Sequence, residues 1–439
     1  MVRSGPGWKP FSVCWRTDVA GTGKSKKRLN AARELTQVVA DYYLECQQAH
    51  DQGKPVGWMP PMNGVIEVFY AMDLQPVFPE NWSPVCAAFG LTPGNFEVSE
   101  GMGYSRDLCG YLRNIVGYVY SDMHAAHVPL GGLPEPDLLI SFGGGCIPAM
   151  KIFQILEQRF PSSRIFSADL PQVAVEDIRD HHIRYAVSEI HRLIDFLTRA
   201  TGKKMDYDRL EEAVILSDKA CALWDEIMSY RRFIPTPISA AEIGIMFVMV
   251  TRQGTQVAVD FLTKVRDEVR QRANDGIGVL EDEQVRLFWD NIPLWYNMGL
   301  FNAFEHMGGV FVAETYSAAW SLRLDTSNPL EALAMKSLMS YSLVSCLSIR
   351  RRKEMVLKAC RDYAIDGAVF HQNKSCVPIT IGQTDIRRAL LKELDIPSIT
   401  IDADHMDARN FSHAQFQTRA DAFMEMLLEK KRDRGRPGV

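Results

Sequence analysis

Apolar residues follow two different spacings along this chain. Stretches in which they recur every three to four positions are typical of amphipathic helices, and short continuous apolar runs are typical of buried parallel strands. The first spacing predicts helices at 26–50, 63–72, 104–128, 148–159, 178–201, 206–229, 240–272, 329–363, 384–394 and 416–431. The second predicts strands at 74–78, 137–142, 164–168, 285–289, 310–313, 366–370 and 396–401.

Strands and helices alternate at both ends of the chain, with glycine turns between several of them. This order is typical of doubly wound parallel sheets. We therefore predict an α/β fold with two Rossmann-like domains and a helical segment between them. The predicted limits are an N-terminal arm at 1–30, a first α/β domain at 31–170, a helical segment at 171–280, a second α/β domain at 281–430 and a tail at 431–439.

Composition and charge narrow the class of protein. The 439 residues are 46% hydrophobic with a net charge of −5, which suits large buried cores. Because no strongly basic stretch interleaved with aromatic residues stands out, we expect no nucleic-acid partner. The best apolar run, 243–250, is too short to span a bilayer, and the N-terminus lacks the apolar core of a signal peptide. We expect a cytoplasmic protein that does not associate with membranes.

The nine cysteines are widely spread, and none of them forms a CxxC pair. This spacing excludes a small disulfide scaffold, a zinc ribbon and a local ferredoxin pattern. A metal site in this chain must therefore combine cysteines that lie far apart in the sequence.

Three of these cysteines stand beside the start of a predicted helix. Cys146 follows the glycine turn after the strand at 137–142, and Cys376 follows the strand at 366–370. Cys109 lies between a glycine-rich loop and a helix. Helix N-termini stabilise thiolates, and ligands bind at the carboxyl ends of parallel strands. Cys146 and Cys376 could thus face each other across a cleft between the domains, although a small buried residue would also fit each position.

These surroundings resemble a known family. Cys109 in Asp-Leu-Cys-Gly-Tyr-Leu-Arg, Cys146 in the Gly-Gly-Gly-Cys turn and Cys376 after Val-Phe-His-Gln-Asn-Lys-Ser resemble the three cluster cysteines of the 2-hydroxyacyl-CoA dehydratase and benzoyl-CoA reductase family. Further resemblance lies at 67–77, 305–310, 395–399 and 415–425, so it spans about 35–430. Within the family, the chain is most similar to the larger cluster-bearing subunit of ATP-dependent benzoyl-CoA reductase. Gly110 departs from the serine that is usual in the dehydratases.

The resemblance implies a set of functional residues. Cys109, Cys146 and Cys376 would hold a [4Fe-4S] cluster and leave one iron without a cysteine, and the backbone N–H groups of Gly144 and Gly145 would bond the cluster sulfurs. The candidate proton donors are those in or near family motifs, namely Glu67, His306 and His371. Each of the three also fits a simpler role, as a helix-surface acid, a helix C-terminal cation and a loop residue respectively.

The implied reaction is reduction of an aromatic acyl-CoA, benzoyl-CoA, to cyclohexa-1,5-diene-1-carbonyl-CoA in anaerobic aromatic degradation. The segment 19–25 ends in Gly-Lys-Ser, but Asp18 stands where a phosphate-binding loop needs glycine. We therefore expect ATP and Mg only on two ATPase activator subunits, with a homologous smaller cluster subunit and ferredoxin as the electron donor. The alternatives are a subunit of an (R)-2-hydroxyacyl-CoA dehydratase, and a cluster-carrying electron-transfer or scaffold subunit.

Overall fold

The structure is a computed structural model that describes residues 29–61, 64–143, 146–320, 322–344 and 348–434. Gly144, Gly145 and the segment 19–25 lie outside the described residues. The first part of the chain contains β1 (Val56–Trp58), β2 (Gln75–Val77), β3 (Leu138–Phe142) and β4 (Arg164–Ala168). Its helices are α1 (Ala31–Asp51), α2 (Ile66–Ala71), α3 (Pro79–Ala88), α4 (Thr92–Gly101), α5 (Gly110–Tyr120) and α6 (Ile147–Arg159).

A helical stretch and a second α/β stretch follow. The helical stretch contains α7 (Asp180–Thr201), α8 (Tyr207–Ser229), α9 (Met246–Arg252) and α10 (Gln256–Asn274). The strands of the second stretch are β5 (Val285–Asp290), β6 (Gly309–Glu314), β7 (Gly367–Asn373) and β8 (Ser398–Ala403). Its helices are α11 (Leu300–Glu305), α12 (Pro329–Val344), α13 (Ile349–Asp362), α14 (Val377–Thr380), α15 (Gln383–Leu394) and α16 (His413–Arg434).

The strands form two four-stranded sheets, and every pairing within them is parallel. The orders are β2-β1-β3-β4 and β6-β5-β7-β8. All residues of β3, β5 and β6 are buried, as expected for strands covered on both faces. The prediction of an α/β fold with two Rossmann-like parallel sheets is confirmed.

The main core joins the first sheet to the helices around it. It runs from α1 through β3 to α8 and α10, and it also includes Trp295, Leu333 and Met406 from the second α/β stretch. Two smaller cores lie on the two faces of the second sheet. No described helix combines the length and the apolar character that crossing a bilayer requires. The predicted domain limits stay a prediction.

Several elements differ from the predicted ones for local reasons. The sequence pattern gave no strand at β1 because Gly53, Pro55 and Gly57 interrupt it. A Cβ atom on Gly57 would lie 2.3 Å from Cε1 of Phe69, so the close packing of α2 against β1 requires glycine there. The stretch predicted as one helix at 240–272 is divided because Gly254 has a φ of +87° and separates α9 from α10.

Candidate functional site

The two sheets contribute the same edge to one cleft. In each sheet the strand order reverses beside the strand that comes first in the chain. The reversal lies between β1 and β3 in one sheet and between β5 and β7 in the other. Such switch points at the carboxyl ends of parallel strands are where open α/β sheets bind ligands. Residues that follow both pairs of strands line one pocket, with an empty volume of about 810 Å³ that includes its open mouth: Met59, Pro60, Cys146, Ile292, Cys376 and Pro378.

All three predicted cluster cysteines line this pocket, and each is the N-cap residue of a helix. Cys109 precedes α5, Cys146 precedes α6 and Cys376 precedes α14. The three side chains are half-buried. The structure thus brings together residues that are separated by 37 and 230 positions in the sequence.

The three thiols share one electrostatic environment. Burial raises the pKa of Cys109 well above its ordinary value, and it raises the pKa of Cys146 and of Cys376 to about 12. Backbone N–H groups of the first helical turn partly oppose this effect, namely those of Leu112, Ala149 and Ile379. A bound metal cation would oppose this effect of burial and would hold the three cysteines as thiolates.

The donor set also limits the kind of metal group that would fit. Among the described residues, no three His, Cys, Asp or Glu side chains are placed to hold a single metal ion. A cluster makes a different demand, because each thiolate binds a different iron atom and the three sulfurs need not converge on one point. Three thiols that line one pocket without forming a single-ion site therefore fit an iron–sulfur cluster better than an isolated ion.

Buried polar contacts fix the loops that bear these cysteines. The backbone N–H of Gly110 donates to Oγ of Ser375 at 3.1 Å, which joins the residue after Cys109 to the residue before Cys376. Arg352 donates to the carbonyl groups of Ile379 and Ile381. Its Nη2 also lies 2.8 and 2.6 Å from the two carboxylate oxygens of Asp290, at the end of β5. The position of α14 therefore depends on the second sheet.

The same local sequence starts the helices after β3 and β7. The chain reads Cys146-Ile147-Pro148 at α6 and Cys376-Val377-Pro378 at α14. Proline is favoured in the first turn of a helix because a backbone N–H there would have no hydrogen-bond partner within the helix, and proline has no such N–H. This repeated Cys-x-Pro motif is a sequence signal that the two loops are equivalent.

Glu80 is a pocket residue that sequence reasoning missed. It is the second residue of α3, directly after β2, and its half-buried side chain lines the pocket with the three cysteines. It forms no hydrogen bond or ion pair with another described residue, and burial raises the pKa of its carboxyl to about 7. The available signal was a carboxylate just after the strand predicted at 74–78.

The three predicted proton donors lie outside the pocket lining. His306 is exposed at the end of α11. His371 is buried in β7, with Nδ1 2.7 Å from the carbonyl oxygen of Ile292, and burial lowers its pKa. Glu67 is fully buried on α2, where Oε1 accepts from Oγ of Ser217 at 2.5 Å and lies 2.6 Å from Nζ of Lys336.

The contact between Glu67 and Lys336 predicts a large effect on stability. Lys336→Met should lower the free energy of unfolding by about 3–5 kcal/mol, because it leaves a buried carboxylate without its cation. Glu67→Gln combined with Lys336→Met should recover most of this loss, because the remaining side chains are neutral. Urea unfolding of the subunit, followed by tryptophan fluorescence, measures both. Equal stability of the single and double variants would contradict a stabilising pair.

The other described cysteines have no place in the pocket. Cys46, Cys86, Cys221 and Cys360 are buried elsewhere as small interior residues. Cys14 and Cys346 lie outside the described residues.

The fold and the pocket together define a two-sheet α/β protein in which three cysteines line one pocket at the carboxyl ends of the strands. The profile of the family described as "2-hydroxyglutaryl-CoA dehydratase, D-component" matches residues 64–427. The chain therefore belongs to this family, which includes subunits of 2-hydroxyacyl-CoA dehydratases and of benzoyl-CoA reductase. The resemblance drawn from the sequence is confirmed.

Individual relatives match most of the chain. The (R)-phenyllactyl-CoA dehydratase alpha subunit of Clostridium sporogenes is 29% identical over 93% of this chain and 97% of its own length. The (R)-2-hydroxyisocaproyl-CoA dehydratase alpha subunit of Clostridioides difficile is 25% identical over 91% and 96%. The B-type subunit of benzoyl-CoA reductase from Thauera aromatica is 28% identical over 76% and 79%.

Proposed function

We propose that this chain is the cluster-bearing subunit of a complex that delivers single electrons to an acyl-CoA thioester, with Cys109, Cys146 and Cys376 as the ligands of a [4Fe-4S] cluster. The observation that supports this most directly is that three cysteines from three separate loops line one pocket. When bound, such a cluster supplies electrons at a potential that the protein sets through hydrogen bonds and exposure. The helix N-termini behind the three cysteines are the means of doing so in this chain.

The substrate that we propose is an acyl-CoA with an apolar acyl group, and benzoyl-CoA in particular. Apart from the cysteines, Glu80 and two tyrosines, the pocket lining is apolar, with Leu112, Ile115, Ile152 and Phe153 among its residues. The likeness to the benzoyl-CoA reductase of Thauera aromatica also supports this substrate. The product would be cyclohexa-1,5-diene-1-carbonyl-CoA.

The partners follow from the same proposal. Several relatives are themselves named as subunits, which supports a multi-subunit complex. We propose a homologous smaller cluster subunit, two ATPase activator subunits that bind ATP and Mg, and reduced ferredoxin as the electron donor.

Dehydration of an (R)-2-hydroxyacyl-CoA is the second candidate. The near-complete match with the two dehydratase alpha subunits described above favours it. In addition, Gly110 does not argue against it. A Cβ atom at this position would lie 2.8 Å from Cβ of Met406 and 2.9 Å from Oδ1 of Asp404, so local packing accounts for a glycine in place of the usual dehydratase serine.

For the reduction of the acyl-CoA that we propose, Glu80 is the proton donor. Its carboxyl faces the same pocket as the cysteines and has no partner among the described residues. A raised pKa keeps part of its population protonated near neutral pH, which is what a general acid requires. It replaces Glu67, His306 and His371 as our first candidate because they lie outside the pocket.

One assay on the anaerobically co-purified complex tests the function. Oxidation of a reduced low-potential donor is followed with benzoyl-CoA and ATP both present, and with each omitted in turn. Oxidation that requires both is the expected result for a reductase. Loss of water from a 2-hydroxyacyl-CoA without net donor oxidation would identify the dehydratase. Electron uptake with neither reaction would support the electron-transfer or scaffold alternative.

A further inference from the structure

A row of aromatic hydrogen-bonding groups ends at the pocket wall. Tyr316 follows β6, and its side chain lines the pocket together with that of Tyr111. The indole Nε1–H of Trp295 donates to Oη of Tyr111 at 2.5 Å. Oη of Tyr111 lies 3.4 Å from Oη of Tyr316.

The chemistry of the three groups fixes the direction of this row. An indole nitrogen can only donate, so Trp295 uses an acceptor site on the Tyr111 oxygen. The hydroxyl of Tyr111 is buried, and Tyr316 is its remaining partner among the described residues. If Tyr316 donated to Tyr111, the Tyr111 proton would be left buried without an acceptor, which is costly. The favoured arrangement is Trp295 to Tyr111 to Tyr316.

This direction leaves the Tyr316 O–H without an acceptor among the described residues. The Tyr316 ring packs edge-on against Trp295, with centroids 6.2 Å apart, so that its orientation is fixed. Burial raises the pKa of Tyr316 above its ordinary value, so the hydroxyl is neutral at physiological pH. The pocket therefore has a preoriented neutral donor within a largely apolar lining.

We propose that the Tyr316 hydroxyl donates a hydrogen bond to the carbonyl oxygen of the acyl-CoA thioester. This inference rests on the proposed function, since it assumes that an acyl-CoA occupies the pocket. Negative charge develops on that oxygen when an electron enters the thioester, and a preoriented donor stabilises such charge more than it stabilises the ground state. Tyr111 is then a positioning residue, because it directs the Tyr316 proton into the pocket.

The test compares two ligands that differ at the carbonyl. Benzoyl-CoA and the thioether S-benzyl-CoA, which lacks the oxygen, are titrated anaerobically into the purified complex. Tyr316→Phe keeps the ring and removes the hydroxyl, so the preference for the thioester should fall roughly tenfold. The turnover rate should fall about 10²–10³-fold with unchanged iron content. Tyr111→Phe should weaken the preference less, and Tyr185→Phe, an exposed residue on α7, should leave it unchanged.

The outcomes separate this inference from the proposed function. If the wild-type complex binds both CoA compounds and Tyr316→Phe keeps the wild-type preference, the role of Tyr316 is wrong and the function stands. If the wild-type complex binds neither compound, both are wrong. Should Tyr316→Phe fail to assemble, Tyr111→Phe decides, because a preference equal to the wild-type value there would overturn the proposed hydrogen-bond row.

Discussion

Replacing Cys109, Cys146 or Cys376 by serine should remove most of the iron from this subunit and lower the activity of its complex more than roughly 100-fold. Each of the three side chains lines the pocket at the start of a helix. Serine keeps the size of the residue but offers a hard oxygen in place of the soft thiolate that iron–sulfur clusters require. Iron content per subunit and the electron paramagnetic resonance signal of the reduced protein measure the loss.

Cys221→Ser is the matched control. Cys221 is buried on α8, where its sulfur accepts a hydrogen bond from Nε2 of Gln253 at 3.2 Å, and a serine oxygen can accept the same bond. We expect wild-type iron in this variant. Equal iron contents in all four variants would show that the three pocket cysteines are not ligands.

The core strands were predictable because burial on both faces leaves continuous apolar runs. The strand predictions at 137–142 and 310–313 match β3 and β6 closely. β1 was not predictable, because a strand of three residues flanked by glycine and proline is too short to show a pattern of alternating apolar and polar residues. It forms because β2 and β3 supply hydrogen-bonding partners on both sides and Phe69 packs on Gly57.

The cysteines of the pocket were predictable for a topological reason. Residues after parallel strands meet at one sheet edge, and Cys146 and Cys376 both follow strands. Glu80 follows a strand too, but its single carboxylate resembles many surface acids in the sequence. Its raised pKa and its lack of a hydrogen-bond or ion-pair partner among the described residues arise only from the folded surroundings. Conversely, Glu67 stands within a recognisable motif, yet its contacts with Ser217 and Lys336 come from α8 and α12.

Glu80→Gln should lower the turnover of the complex about 10²–10⁴-fold, because the amide keeps the shape of the side chain but cannot transfer a proton. In the wild-type complex the general acid is the protonated carboxyl, whose pKa is raised by burial to about 7. Activity should therefore be highest below this pH and fall as the pH rises through it. Rate measurements between pH 6 and 9 on the wild type and the variant test both statements, and the variant should lack this decline.

The folding stability of the Glu80→Gln variant should not fall with its turnover, which separates catalysis from structure. A carboxyl whose pKa is higher in the folded state than in the unfolded state contributes stability below its unfolded pKa, and this contribution is lost as the pH rises through about 7. Glu80→Gln should thus be at least as stable as the wild type at pH 8, and its iron content should be unchanged. Glu97→Gln, an exposed residue on α4, is the control for both measurements. A Glu80→Gln complex with wild-type turnover would remove Glu80 from the reaction, while lost turnover accompanied by lost iron or lower stability would make its role structural.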